Sequence, residues 1–435
     1  MSTDVYGTGT SDYDVLTRTN PGTPGGELMR RYWHPVALAE ELPAGGAPVP
    51  LRIMGEDLVL FRGEEGQPGL LGIHCSHRGA DLSYGRVEDG GIRCIYHGWL
   101  YDREGRCLEQ PGEPAGSTFH ERIRQPAYPC VERADTIWAY MGPSPAPEFP
   151  NYEFLTVPTC NTFALKLASD CNWMQGSEGN IDLLHLSFLH YMTLGPRGTS
   201  EELINHQGYA PHRESVEAEL RDYGLRVCKV QRLSDEEKLL YLCTYIVPAG
   251  YAFPGNVTKE DGYSLNWHVP IDDTHHWKFT FIHSREAPVD KPAIRAGRQA
   301  MLPGYKSARN PANRYLQDRE EQTTRTYAGM GTVFQAHDLC ATEGAGPIQD
   351  RSHEHLSSQD ASVVMSRKLL LKGLQDIREG RDPIGVIRDP AKNRFPRLFT
   401  WEAAIVPLEK DWRAHFREMD AQFEEKTHAA TDVPI

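Results

Sequence analysis

The chain carries Cys75-Ser76-His77 and, after sixteen intervening residues, Cys94-Ile95-Tyr96-His97. Two thiolates and two neutral imidazoles at this spacing make a metal-binding donor set. They suit a [2Fe–2S] cluster in which two cysteines hold one iron and two histidines hold the other. Cys75 and Cys94 would take the first iron, His77 and His97 the second. The competing chemistry is a structural zinc with two cysteines and two histidines. A zinc finger, however, pairs Cys with Cys and His with His, and sets both histidines on a helix. Here each pair is mixed and followed closely by glycine (Gly79, Gly98), which favours two short loops clamping a cluster from opposite sides.

The stretch resembles the Rieske centres of aromatic-ring-hydroxylating oxygenases rather than those of respiratory complexes. Respiratory Rieske proteins carry an extra cysteine in each loop, joined as a disulfide; the matching positions here are Ala80 and Tyr96. Their serine that hydrogen-bonds a bridging sulfur is replaced by Trp99. Fewer hydrogen bonds to sulfur stabilise the reduced cluster less, so the resemblance implies a potential nearer about −150 mV than about +300 mV.

A second constellation is Glu178-Gly179-Asn180-Ile181-Asp182-Leu183-Leu184-His185, followed by Phe188-Leu189-His190. Histidines five apart on a regular helix point about 140° away from each other. They can share a metal only if the helix ends or distorts; Thr193-Leu194-Gly195-Pro196 is expected to end it. The spacing alone equally fits one buried and one surface histidine. A one-electron carrier in the same chain needs a destination, however, and a site of two histidines and one carboxylate on iron is such a destination. From Asn172-Trp173-Met174-Gln175 through His190 the sequence resembles the iron-binding helix of the phthalate-dioxygenase-like branch of Rieske oxygenases. That resemblance implies His185 and His190 as iron ligands. It implies Asp182 as a bridging carboxylate, hydrogen-bonded to His185 of its own subunit and to His97 of a neighbour. It also draws the third ligand from Gln335-Ala336-His337-Asp338-Leu339-Cys340-Ala341-Thr342-Glu343 as Asp338, with Glu343 the runner-up. His337 stands where the family commonly has an acidic or amide residue. A third imidazole from His337, His353 or His355 would make the site more cationic and less suited to oxidation chemistry. Asp350, Arg351 and Glu354 read as a structural ion-pair group.

The elements that position these residues read as α+β: a small antiparallel β domain, then a curved antiparallel sheet with helices packed on it. Residues 1–45 read as an N-terminal segment packing on the domains, 46–150 as the cluster domain and 151–435 as the catalytic iron domain, with Pro143 to Pro150 as the boundary. In the first domain, Leu51–Met54 and Leu58–Phe61 flank a Gly55-Glu56-Asp57 turn. In the second, a helix is expected from Asn172 to Tyr191. Strands follow at Val216–Leu220, Leu225–Leu233, Leu239–Val247, Ser264–Pro270 and Trp277–Ser284, the last two joined at Asp272-Asp273-Thr274. Helices are expected at Arg314–Tyr327 and Ala361–Glu379, the latter with Val364, Leu369, Leu370 and Leu374 on one face.

Composition narrows the function. A chain of 435 residues with 39% hydrophobic and 24% charged residues suits a soluble globular protein. A net charge of −14 argues against nucleic acid or an anionic membrane as partner. No apolar run reaches membrane-spanning length, and the polar start lacks the pattern of a signal peptide. Nine cysteines without framework spacing fit reduced thiols in the cytoplasm. The resemblance implies the terminal oxygenase component of a multicomponent system. It would hydroxylate an aromatic compound, an aromatic carboxylate above all, with O2 as co-substrate, as a dioxygenase, or as a monooxygenase such as an O-demethylase. A bare Rieske electron carrier or a zinc-stabilised binding module are the readings from other classes. No G-x-G-x-x-G fingerprint or plant-type cluster motif is present, so electrons are expected from a separate NAD(P)H-dependent reductase. The family assembles as head-to-tail trimers, sometimes stacked, and the same is expected here. Arg197, Arg213 and Arg232 could each pair a substrate carboxylate, and the sequence selects none of them.

Overall fold

The computed structural model describes residues 13–191, 214–254, 262–285, 287–296, 301–394 and 404–431. Alternating apolar residues in short runs build three small antiparallel sheets in the first third of the chain. One orders Val49–Ile53, Glu56–Arg62, Pro68–Gly72 and Ala127–Tyr128; a second orders Arg86–Glu88, Gly91–Arg93, Leu100–Tyr101 and Cys107–Glu109. The third places Thr136–Tyr140 between Trp33–Leu38 and Cys130–Arg133. Residues 33–38, read from sequence as part of an N-terminal segment, are thus a strand of this β framework. The first hairpin turns at Met54-Gly55, one place before the expected turn, with both residues at positive φ (49° and 77°). Its tip donates to the catalytic part of the chain, Met54 N–H to Pro270 O (2.9 Å) and Gly55 N–H to Ile271 O (2.8 Å).

The rest is dominated by an eight-stranded antiparallel sheet. Its order is Thr162–Ser169, His276–Ser284, Gly262–Pro270, Gly250–Pro254, Glu237–Ile246, Gly224–Arg232 and Glu214–Arg221, with Ala404–Pro407 also pairing with Glu237–Ile246. All five expected strands are present within a residue or two of their bounds, and the Pro270↔His276 register closes the expected hairpin. Thr162–Ser169, Gly250–Pro254 and Ala404–Pro407 were not anticipated. Gly250-Tyr251-Ala252-Phe253-Pro254 reads as a loop because glycine and proline bracket it.

The helices depart from expectation more than the strands. The helix starting at Asn172, whose side chain caps Met174 N–H (3.1 Å), runs only from Trp173 to Ile181. A separate 3-10 turn spans Leu184–Ser187. The expected stop at 193–196 lies outside the described residues. Arg314–Tyr327 is not one helix: Arg314, Tyr315 and Leu316 adopt positive φ, and a new helix, Arg319–Thr324, starts after the Asp318 cap. Ala361–Arg378 is helical, but its buried stripe is Val363, Ser366, Arg367, Leu370 and Leu374; Val364 and Leu369 are half-buried.

Glu178, on the Trp173–Ile181 helix, ties this architecture together. It accepts from Arg367 (2.7 Å) and Arg351 (3.1 Å), and Arg367 also pairs with Glu354 (2.5 Å). Arg351 and Glu354 therefore belong to an ion group, as expected. Asp350 instead caps Ser352 N–H (2.9 Å). Both guanidiniums are fully buried, so removing the shared carboxylate strands two charges. Glu178→Ala is expected to cost about 3–5 kcal/mol in a chemical-denaturation measurement; a loss under about 1 kcal/mol would contradict this role.

Candidate metal centres

The two Cys-His loops are folded alike. In one, Cys75 N–H donates to Ala80 O (2.8 Å) and Gly79 N–H to Cys75 O (2.8 Å). In the other, Cys94 N–H donates to Trp99 O (2.9 Å) and Gly98 N–H to Cys94 O (3.0 Å). Gly79 and Gly98 each sit at positive φ (72° and 75°), which a side chain would strain. The turns bring the His77 and His97 rings to 4.4 Å between centroids, His77 stacking on Trp99. Cys75 and Cys94 are buried. Burial, with Cys75 alongside, pushes the Cys94 thiol above its ordinary range. A metal that takes both as thiolates removes that cost. His77 Nδ1 is buried without a hydrogen-bond partner. Two adjacent buried thiols and an orphaned imidazole nitrogen fit a [2Fe–2S] cluster.

One neighbour was missed in the sequence. The Tyr101 hydroxyl lies 3.2 Å from Cys75 Sγ and can donate to a thiolate there. It adds one hydrogen bond at a cysteine sulfur, distinct from the bridging-sulfur bond that the Trp99 replacement removes. Only the folded hairpin brings it into reach.

In the catalytic part, His185, His190 and Asp338 converge: one donor atom from each lies within 4.8 Å of the others. Asp338 Oδ1 is 3.1 Å from His190 Nε2 and 3.9 Å from His185 Nε2. Donors bound to one ion in a facial set lie roughly 3 Å apart, so the set fits a mononuclear metal of the 2-His-1-carboxylate kind. Both Nδ1 atoms point elsewhere. His185 Nδ1 bonds the Asp182 carbonyl, and His190 Nδ1 is 3.1 Å from His337 Nδ1.

The break after Ile181 permits this. Asp182 leaves the helix with ψ 104°, so its carbonyl meets the ring of His185. Its carboxylate instead caps Leu184 N–H (2.9 Å). The expectation that this carboxylate accepts from His185 is corrected: the backbone oxygen does so, because three residues past a helix end the imidazole reaches main chain first. The segment is then fastened from below, where Ser187 donates to Glu214 (3.0 Å) and Lys229 pairs with Glu214 (3.2 Å) in full burial.

Asp338 is flanked by a cation that no motif singles out. Lys278 Nζ is 3.3 Å from Asp338 Oδ2. Burial favours the neutral acid, yet Lys278 and then His190 hold the Asp338 carboxyl far below the usual range. Burial pushes His190 down to about 4. The site therefore presents an anion at Asp338 and a neutral imidazole at His190, the forms that bind iron. Beside Lys278 a cavity is lined by Asn180, His268, His276, Gln335 and Thr342.

The other candidates lie elsewhere. Glu343 accepts from Asp170 N–H (2.9 Å) and the Tyr315 hydroxyl (2.5 Å), outside the convergence. His353 and His355 are exposed. Arg232 is exposed and pairs with Asp235 (2.7 Å). Arg197 and Arg213 lie outside the described residues.

Comparison with known proteins places both parts of the chain in known families. Residues 32–129 match the Rieske [2Fe-2S] domain, and residues 139–433 match the LigXa C-terminal domain like family. The chain belongs to the Rieske non-haem iron oxygenases of this type, the oxygenase components of multicomponent systems. It is 33% identical to the phthalate 4,5-dioxygenase oxygenase subunit of Pseudomonas putida, covering 92% of each chain. It is 32% identical to the 5,5'-dehydrodivanillate O-demethylase oxygenase subunit of Sphingobium sp., over 88% of this chain and 84% of that one. The terminal oxygenase of carbazole 1,9a-dioxygenase from Nocardioides aromaticivorans shares the fold at TM-score 0.56 and 18% identity, covering 84% of this chain and 97% of that one. The cofactors of the present chain are a Rieske [2Fe–2S] cluster and a mononuclear non-haem iron, with O2 as co-substrate.

Two outcomes follow from the geometry. Tyr101→Phe is expected to lower the cluster potential on the order of 40 mV, if the bond favours the reduced state by about 1 kcal/mol; an unchanged midpoint in a redox titration contradicts the bond. Lys278→Met removes the cation that depresses Asp338, so protons compete with metal at higher pH. The pH of half iron loss should rise, and an unmoved midpoint contradicts the pairing.

Proposed function

We propose that Cys75, His77, Cys94 and His97 hold the cluster, and that His185, His190 and Asp338 hold the iron, of an oxygenase component that hydroxylates an aromatic carboxylate. The convergence of two imidazole Nε2 atoms and one carboxylate oxygen carries this reading. When bound, the cluster supplies single electrons and the iron supplies the O2 chemistry. The chain's own residues orient these groups. Asp182 O and His337 turn the two Nε2 atoms inward, and Lys278 keeps Asp338 anionic. Donors gathered on one face leave the other to dioxygen and to a substrate that does not ligate the metal.

The substrate class rests on relatives named for phthalate, 3-chlorobenzoate and phenoxybenzoate. Demethylation of an aryl ether is the second reading, favoured by the O-demethylase relative. A cis-dihydrodiol among the products supports dioxygenation, and formaldehyde supports demethylation.

The reading includes a head-to-tail trimer in which Asp182 meets a neighbour's His97. Around the exposed His97 stand Ile95 and Tyr96, with Tyr84 also exposed, the apolar surface such a contact needs. It also includes a separate NAD(P)H-dependent reductase and a cytoplasmic setting. That none of the nine cysteines is joined in a disulfide supports that setting, and no described helix is long and apolar enough to cross a membrane.

Asp338→Ala tests the core of the reading. With a surrogate reductase, product formation should fall by more than the about 10–100-fold that a lost outer partner costs, while the cluster's visible absorption persists. Undiminished product with mononuclear metal retained would overturn it.

A further inference from the structure

The helix Phe334–Glu343 presents three residues to His190 at the i, i+3, i+4 spacing of one helix face: Phe334, His337 and Asp338. Phe334 stacks on the His190 ring at 4.5 Å. Asp338 Oδ1 approaches Nε2 at 3.1 Å, and His337 Nδ1 approaches Nδ1 at 3.1 Å. The ring is thus held on its face and on both nitrogens from one helical turn.

The hydrogen-bond order can be read outward. Gly331 O, a carbonyl, only accepts, and His337 Nε2 lies 3.0 Å from it. His337 Nε2 therefore carries the proton, leaving a lone pair on its Nδ1. Of two ring nitrogens in contact one must donate; with its Nε2 lone pair given to a metal, His190 carries its proton on Nδ1 and donates it to His337. The anchor is itself fixed, since Gly331 N–H donates to Glu321 Oε1 (2.9 Å), which also accepts from the Thr326 hydroxyl (2.9 Å). His337 is fully buried, and His190 nearly so.

We propose that His337 is a positioning residue for the iron site, a neutral imidazole that fixes the tautomer and angle of His190 through the relay Glu321–Gly331–His337–His190. This rests on the reading of His190 as an iron ligand. Metal-bound histidines ordinarily gain an outer partner of this kind, often a carboxylate, which raises ligand basicity. An uncharged imidazole in that place orients without adding a negative charge.

The test compares His337→Leu and His337→Asn in the full-length, cluster-loaded protein. Asn carries an acceptor close to the position of Nδ1; Leu carries none. Fe(II) affinity is read by equilibrium titration, and site geometry by the EPR spectrum of the ferrous site with nitric oxide as probe. Cluster absorption and thermal midpoint monitor folding. His337→Leu is expected to weaken Fe(II) binding about 10–100-fold and alter the nitric oxide spectrum. His337→Asn is expected to recover most of both. Native affinity and spectrum in His337→Leu would overturn the proposal, as would His337→Asn performing no better than His337→Leu. His190→Ala separates the premise. If that variant keeps Fe(II) with a native spectrum, the ligand assignment fails. If it loses Fe(II) while His337→Leu binds natively, only the role of His337 fails.

Discussion

Two histidines five residues apart on an unbroken helix would face about 140° away from each other, and no single ion could reach both. The chain resolves this by ending its helix at Ile181 and carrying His185 on a short 3-10 turn. Phe188, at φ −123° and ψ −71°, then leaves that turn two residues before His190. A break of this kind exposes backbone carbonyls that need donors. The Asp182 carbonyl finds one in the His185 ring, so the group orphaned by the break also orients His185.

Charge balance in the interior follows from the same constraint. Asp338 must be an anion to ligate a metal, yet it stands in a buried setting that favours the acid. Lys278 on the sheet reverses that preference. Beneath the site, Glu214 and Lys229 fasten Ser187, and with it the histidine-bearing turn, to the two strands at the sheet's end. On the other side Glu178 joins the helix to Arg351 and Arg367. Buried pairs of this kind add little net stability but fix geometry, because breaking one leaves an uncompensated charge. The histidine-bearing segment is thus clamped between paired charges while the donors of His185, His190 and Asp338 face one point.

Much of this was legible in the sequence where the signal was local. The Cys-His loops carry their cysteines, histidines and glycines within a few residues, and the long strands from 214 to 284 announce themselves by apolar alternation. Helix bounds were less legible. Nothing before Asp182 marks a stop, and the left-handed stretch Arg314–Leu316 runs through residues that usually favour helix. Residues acting through distant partners were hidden. Lys278 is one lysine in a strand until the sheet places it beside Asp338. His337 reads as a rival ligand until His190, 147 residues earlier in the chain, arrives at its Nδ1. Tyr101 depends in the same way on the fold of its hairpin.

The central claim is that one polypeptide holds both a two-iron cluster and a separate single iron. Counting iron and acid-labile sulfide per chain in the purified protein tests it most directly. The account predicts three irons to two sulfides, with the third iron removed selectively by a mild chelator while the cluster spectrum remains. Two irons to two sulfides, with no further iron taken up on reconstitution, or zinc without visible absorption, would contradict it.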